Sequence, residues 1–243
     1  MAVDSPPLAG LNARPTVLQG SPAMALPLDL HLPQLYMVAV CVLVLAPGPD
    51  SLLVLTRSIA DGRQAGVVAT VGICVGNTVH SLLAAAGISA LIAASASLFD
   101  LLRYAGGAYL AWIGLRSLWS VWASRGAEPA VVVEAPAPAP AGRVFVQALL
   151  TNLLNPKIIL FQLAFVPQFI APDLGHVALQ TFILGNIISV LGGIYLVGIA
   201  ALSAGAARRV LSSPRVRTAM DGIAGVLFLG FAVRLLLTDR KFA

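Results

Sequence analysis

Six long apolar runs account for most of the chain: 34–55, 66–98, 101–122, 144–170, 177–204 and 219–237. A membrane helix needs about 20 predominantly apolar residues, and the runs are of that order. None alternates over about ten residues as a membrane β-strand does. Closed barrels are the only other way to satisfy a backbone in lipid. The pattern therefore predicts an all-α integral membrane protein with six transmembrane helices. The second run is longer than a straight span needs, so it should tilt or bend.

The polar stretches divide these runs. Residues 1–32 hold Pro6, Pro7, Pro15, Pro22 and Pro27 with Gly and Ser between them, which reads as a flexible tail. The tail has no basic region leading into an apolar one, so it is not a secretory signal. Met24 precedes the first apolar run. A start there would remove residues 1–23, which are expected to be dispensable. Between the third and fourth runs, residues 124–143 include alternating Ala and Pro, the pattern of an extended linker. The expected plan is a tail (1–32), a three-helix repeat (33–123), a linker (124–143), a second three-helix repeat (144–238) and a short C-terminal end (239–243).

Composition excludes an ordinary soluble domain. Hydrophobic residues make up 58% of the 243 and charged residues 10%, where soluble domains carry about a quarter charged. Mean hydropathy is +0.91, which also excludes disorder. The net charge of +5 does not indicate nucleic acid, because the basic residues are scattered beside apolar runs as topology signals. The sides reached after runs one, three and five carry nine Lys and Arg and the opposite side four. That asymmetry places both termini outside the cytoplasm. Cys41 and Cys74 lie inside apolar runs without zinc spacing and read as buried small hydrophobes. No metal or cofactor is expected.

Two runs are interrupted. The first contains Ala46-Pro47-Gly48-Pro49-Asp50, and the fourth contains Asn152-Leu153-Leu154-Asn155-Pro156-Lys157. Proline removes a backbone donor and disfavours helix at the preceding residue. Irregular backbone at membrane depth is tolerated only where it is buried in protein or lines a cavity. Each break lies in the first span of a three-span half, and an odd number of spans gives the halves opposite orientations. Matching breaks of this kind are the best sequence pointer to a transporter's binding site. The fold expected is two inverted three-helix repeats whose first and fourth helices are broken at proline. Asp50 and Lys157 directly follow the breaks, and an ionisable residue within a span faces a partner or a water-filled path.

Other polar positions read more plainly. Gly72-Ile73-Cys74-Val75-Gly76 is a GxxxG pattern for close helix packing, with Asn77 and His80 beside it. Gly106, Gly107, Gly114, Gly185, Gly192 and Gly193 read as packing faces. His80 reads as a satisfied histidine rather than a proton relay. Asn186 and Ser189 read as making interhelical bonds. Tyr104, Trp112, Trp119 and Trp122 include candidates for aromatic anchors at the membrane interface.

These motifs together resemble the LysE/RhtB amino-acid exporters. The resemblance rests on Pro47-Gly48-Pro49, on Gly66, Gly72 and Gly76, and on Gly106-Gly107-Ala108-Tyr109-Leu110 through Gly114. Asn155-Pro156-Lys157 and Pro167-Gln168-Phe169 complete it, and it runs from about residue 33 to 238. The long tail and the proline-rich linker depart from the family's usual form. The resemblance implies a multi-pass exporter of amino acids or close derivatives in the cell inner membrane, driven by exchange against protons. In physical terms it implies alternating access, the two halves rocking about the broken helices. The half-helix N-termini would meet a carboxylate, and freed carbonyls with Asp50 would meet an ammonium. The candidate substrate-binding residues are Pro47, Gly48, Pro49, Asp50, Asn77, Asn152, Asn155, Pro156 and Lys157. Asp50 is also the candidate for proton coupling, since burial and a nearby cation act on a carboxylate in opposite senses. The partners implied are an amino acid, protons and the bilayer, and the glycine-rich faces permit a homodimer.

Two rival classes fit the pattern less well. A channel or ion exporter of related fold would conduct without coupling, although no soft-metal ligand set is present. An intramembrane enzyme would need an activated serine or zinc ligands. Ser89 lacks a following glycine, and His31, His80 and His176 lack HExxH spacing.

Overall fold

The computed structural model describes residues 33–94, 96–123, 137–171, 174–203 and 213–237, all of them in helices or short connections. The helices are α1 (Pro33–Leu45), α2 (Pro49–Ala60), α3 (Arg63–Ala94), α4 (Ala96–Ala123), α5 (Ala141–Leu153), α6 (Pro156–Leu160), α7 (Val177–Leu202) and α8 (Pro214–Leu237). Beyond α6 the chain continues through a π-helical stretch, Phe161–Phe165, and a 3-10 turn, Val166–Phe169. Among the described residues there is no strand. The tail and most of the linker, 124–136, lie outside the described residues. The last residues assigned to the linker, 141–143, already belong to α5.

The two interrupted runs form bent pairs. α1 meets α2 at 47°, and α5 meets the segment beginning at Pro156 at 47° as well. The breaks fall where proline requires them. Pro49 and Pro156 each start the second helix of a pair, the position where a missing N–H costs least. By length and apolarity α3 and α7 qualify as membrane spans, and each bent pair qualifies as a broken span or a re-entrant loop. α4 and α8 carry more charge, including Asp100, Arg103 and Arg116 in the one and Arg215, Arg217 and Asp221 in the other.

The exterior is apolar. Trp112, Trp119 and Trp122 on α4, Val190 and Ile194 on α7, and Ile223 and Val226 on α8 are exposed. Exposure of this kind on so many helices suits hydrocarbon rather than water as solvent. Cys41 belongs to it too: it is exposed on α1 rather than buried, because the inner face of that helix is taken by Tyr36, Val40 and Leu43.

Inside, the strongest packing pairs α3 with α7 and with α5, and α4 with α8. Two hydrophobic clusters result. One gathers Tyr36, Leu43, Phe161, Phe165, Phe169, Phe228 and Phe231. The other gathers Val54, Ile73, Val144, Ala148, Leu196 and Ile199. Small residues permit the close approaches. A Cβ at Gly72 would lie 2.6 Å from the Phe145 carbonyl oxygen of α5, and one at Gly114 would lie 2.9 Å from the Gly225 carbonyl of α8.

Candidate functional site at the two helix breaks

An α-helix leaves its last carbonyls without intrahelical donors. Proline extends the deficit by removing the N–H that would bond four residues back. Pro47 thus leaves the Leu43 carbonyl free, and Pro156 leaves the Asn152 carbonyl free. Both are picked up by side chains from elsewhere. Lys157 Nζ donates to the Leu43 carbonyl at 3.1 Å and to the Ala46 carbonyl at 3.0 Å. His80 Nε2 lies 3.3 Å from the Asn152 carbonyl. A carbonyl only accepts, so this contact places a hydrogen on Nε2. The Asn155 N–H also reaches that carbonyl, at 2.9 Å.

The breaks cap one another. Lys157 sits in the first turn of α6, at the positive end of that helix. Its ammonium instead reaches the carbonyl end of α1, where a helix dipole favours a cation. Asp50 sits in the first turn of α2, where the dipole favours an anion. Its Oδ2 accepts from Asn152 Nδ2 at 2.8 Å, and the same amide donates to Asn77 Oδ1 at 3.1 Å. Asn155 caps α6, its Oδ1 accepting from the Lys157 N–H at 3.1 Å. Gly48 caps α2, its N–H donating to Ser51 Oγ at 3.2 Å. A Cβ at Gly48 would come within 3.1 Å of Lys157 Nζ, so glycine leaves room there for the ammonium.

The nine candidate residues thus meet in one place, in different roles. Gly48, Asp50, Asn77 and Lys157 line a cavity. Asn152 and Asn155 are buried and hold that lining. Pro47, Pro49 and Pro156 act through the backbone, and Pro49 and Pro156 are exposed. The freed carbonyls of α1, expected to meet a substrate's ammonium, hold the protein's own ammonium instead. Among the described residues, the buried polar atoms without a partner are Asp50 Oδ1, Asn152 Oδ1, Asn155 Nδ2 and, apart from the breaks, Gln162 Oε1.

Ser51 lines the cavity as well, and most of the remaining wall is apolar: Leu43, Val44, Ile73, Ile158, Ile188 and Leu196, with Gly192 and Tyr195. It draws on both hydrophobic clusters, so the polar seam lies between them. The volume is about 40 Å³. A cavity that admits benzene is about 150 Å³, so the described conformation leaves no room here for a ligand of that size. Among the described residues no three His, Cys, Asp or Glu converge as metal ligands would.

Several residues here were not singled out in the sequence. Ile188, Tyr195 and Leu196 reach the cavity from α7, and only their helical spacing signalled a shared face. Arg57, counted as a topology signal, is buried. It donates to Asp61 Oδ2 at 3.0 Å, to Gln147 Oε1 at 2.7 Å and to the Ala137 carbonyl at 3.0 Å, which ties α2 to α5. Its (i, i+4) spacing from Asp61 was the readable sign. Asn186 and Ser189 do make interhelical bonds, to Thr78 and to the Cys74 carbonyl.

A model of LysE type translocators matches residues 41–239, which takes in both breaks and every residue that lines the cavity. The chain belongs to the LysE type translocator family. It is accordingly a membrane transporter and not an enzyme. Leucine efflux proteins are among its relatives. That of Enterobacter sp. (strain 638) is 33% identical over 200 residues, covering 82% of this chain and 92% of the relative. Those of Salmonella typhimurium (strain LT2) and Klebsiella pneumoniae are each 32% identical with the same coverage. No solved structure matches.

Proposed function

We propose that this LysE-family translocator exports amino acids, aliphatic ones such as leucine foremost, by exchange against protons across the cell inner membrane. The observation that carries the reading is the meeting of two proline breaks, an acid and a base beside an apolar cavity. A zwitterion with an aliphatic side chain needs both halves of such a site. The leucine efflux relatives support the same substrate class.

In this reading α1 with α2, α3 and α4 make one three-span half. α5 with α6, α7 and α8 make the other, inverted in the membrane. Support comes from the equal bends, from prolines at equivalent helix starts, and from the pairing of corresponding helices, α3 with α7 and α4 with α8. Alternating access is the rocking of these halves about the breaks. The substrate's ammonium competes with Lys157 for the Leu43 and Ala46 carbonyls, and with a proton for Asp50. The substrate's carboxylate then meets the Lys157 ammonium and the N–H groups at the start of α2 or α6. Both termini lie outside the cytoplasm, by the distribution of basic loops.

The test is release of labelled leucine from preloaded proteoliposomes under an imposed pH gradient. Release that follows the gradient, with protons moving the other way, is the expected result. Release indifferent to the gradient would sink proton exchange, and no release of any amino acid would sink export.

A further inference from the structure

Glycines in this bundle fall into two kinds. Several are forced by contact. A Cβ at Gly76 would lie 2.5 Å from Asn152 Oδ1, one at Gly72 2.6 Å from the Phe145 carbonyl, and one at Gly225 2.8 Å from Leu118. Gly192 is different. It is buried in the middle of α7, yet the nearest atom to an added Cβ is Val44 Cγ2 at 3.9 Å, an ordinary contact distance. No neighbour demands glycine there, and glycine is the poorest helix former after proline. What its missing side chain leaves open is the candidate cavity, which Gly192 lines between Ile188 and Leu196 and opposite Val44.

We propose that Gly192 sets the upper size of the side chain that the site accepts. The inference rests on the export reading and adds a residue to it. With the ammonium and carboxylate held among Asp50, Lys157 and the helix breaks, the side chain lies along the apolar wall. Its room is bounded by Ile188, Leu196 and Val44 and enlarged at Gly192. A methyl group at 192 takes part of that room without displacing a neighbour. A valine takes more, so that when the site opens to admit substrate a branched four-carbon side chain is excluded while a methyl side chain still fits.

The test compares leucine and alanine efflux from preloaded proteoliposomes for the wild type, Gly192→Ala, Gly192→Val and Gly198→Val. Gly198 lies on the same helix, away from the cavity, and a Cβ there meets nothing within 4 Å. Gly192→Val should lower the leucine-to-alanine ratio by about tenfold or more, the scale on which one methylene is discriminated in an apolar pocket. Gly192→Ala should lower it less, and Gly198→Val should leave it unchanged. An unchanged ratio in both Gly192 variants overturns the proposal. So does an equal loss of both substrates, which would mark Gly192 as a packing residue. Should Gly192→Val fail to insert, Gly192→Ala decides by the same ratio. A wild type that releases neither amino acid fails the export reading itself, before any variant is compared.

Discussion

The first and second breaks have the same bend and the same proline at the start of the second helix, yet they carry opposite charges. After Pro49 comes Asp50, and after Pro156 comes Lys157. The first break is completed from a distance, because Lys157 supplies both donors that its freed carbonyls receive from side chains. The second is completed partly by itself. The Asn152 carbonyl already accepts from the Asn155 backbone, and His80 adds a second donor. The first break therefore depends on the other half of the chain far more than the second does. In the proposed exchange, the substrate's ammonium would displace this chemically equivalent one that holds one half to the other.

Asp50→Asn tests the comparison most severely. It keeps the shape and removes the charge that distinguishes the first break. Proton-coupled efflux should fall to background in proteoliposomes while membrane insertion is retained. If the variant still exports against a gradient with unchanged pH dependence, coupling belongs elsewhere, with Asp221 or His80 next to be examined.

Lys157→Met comes next. It keeps the apolar stem and leaves the Leu43 and Ala46 carbonyls without their donor. Each unpaired buried group costs about 1–3 kcal/mol, so thermal unfolding in detergent should shift down clearly. The comparison sharpens in a cycle with Asp50→Asn. Groups sharing one network couple by about 0.5–3 kcal/mol, and additive effects would separate the two breaks.

Gly76→Ala should have a smaller effect, again on the link between the breaks. Its new Cβ meets Asn152, the amide that joins Asp50 to Asn77. Efflux should fall more than stability, and an equal fall in both would mean simple overpacking. His80→Ala should be the mildest. The Asn152 carbonyl keeps its backbone donor, so a loss of about 0.5–1.5 kcal/mol is expected. A destabilisation as large as that of Lys157→Met would show that the second break is no more self-sufficient than the first.

Both breaks, the apolar runs between them and the membrane character were legible in the sequence because their causes are local. A proline lacks its N–H wherever it stands, and a run of apolar residues cannot cover itself with water. The candidate site residues were legible for the same reason, since Asp50 and Lys157 adjoin the prolines. What each one touches was not legible. Lys157 reaches carbonyls 111 and 114 positions away, and His80 reaches one 72 positions away. Nothing local distinguishes Gly192 from Gly185 or Gly72, although a Cβ would be crowded at the latter two and free at the first. The (i, i+4) spacing signals the pair of Arg57 with Asp61, but not that Gln147 of the other half clamps Arg57 inside the protein. Sequence alone determined where the helix had to break, because hydrogen-bond capacity is a property of each residue. Only the tertiary structure decided which groups complete the breaks and where space remains, because capping and cavity volume depend on chain segments brought together from both halves.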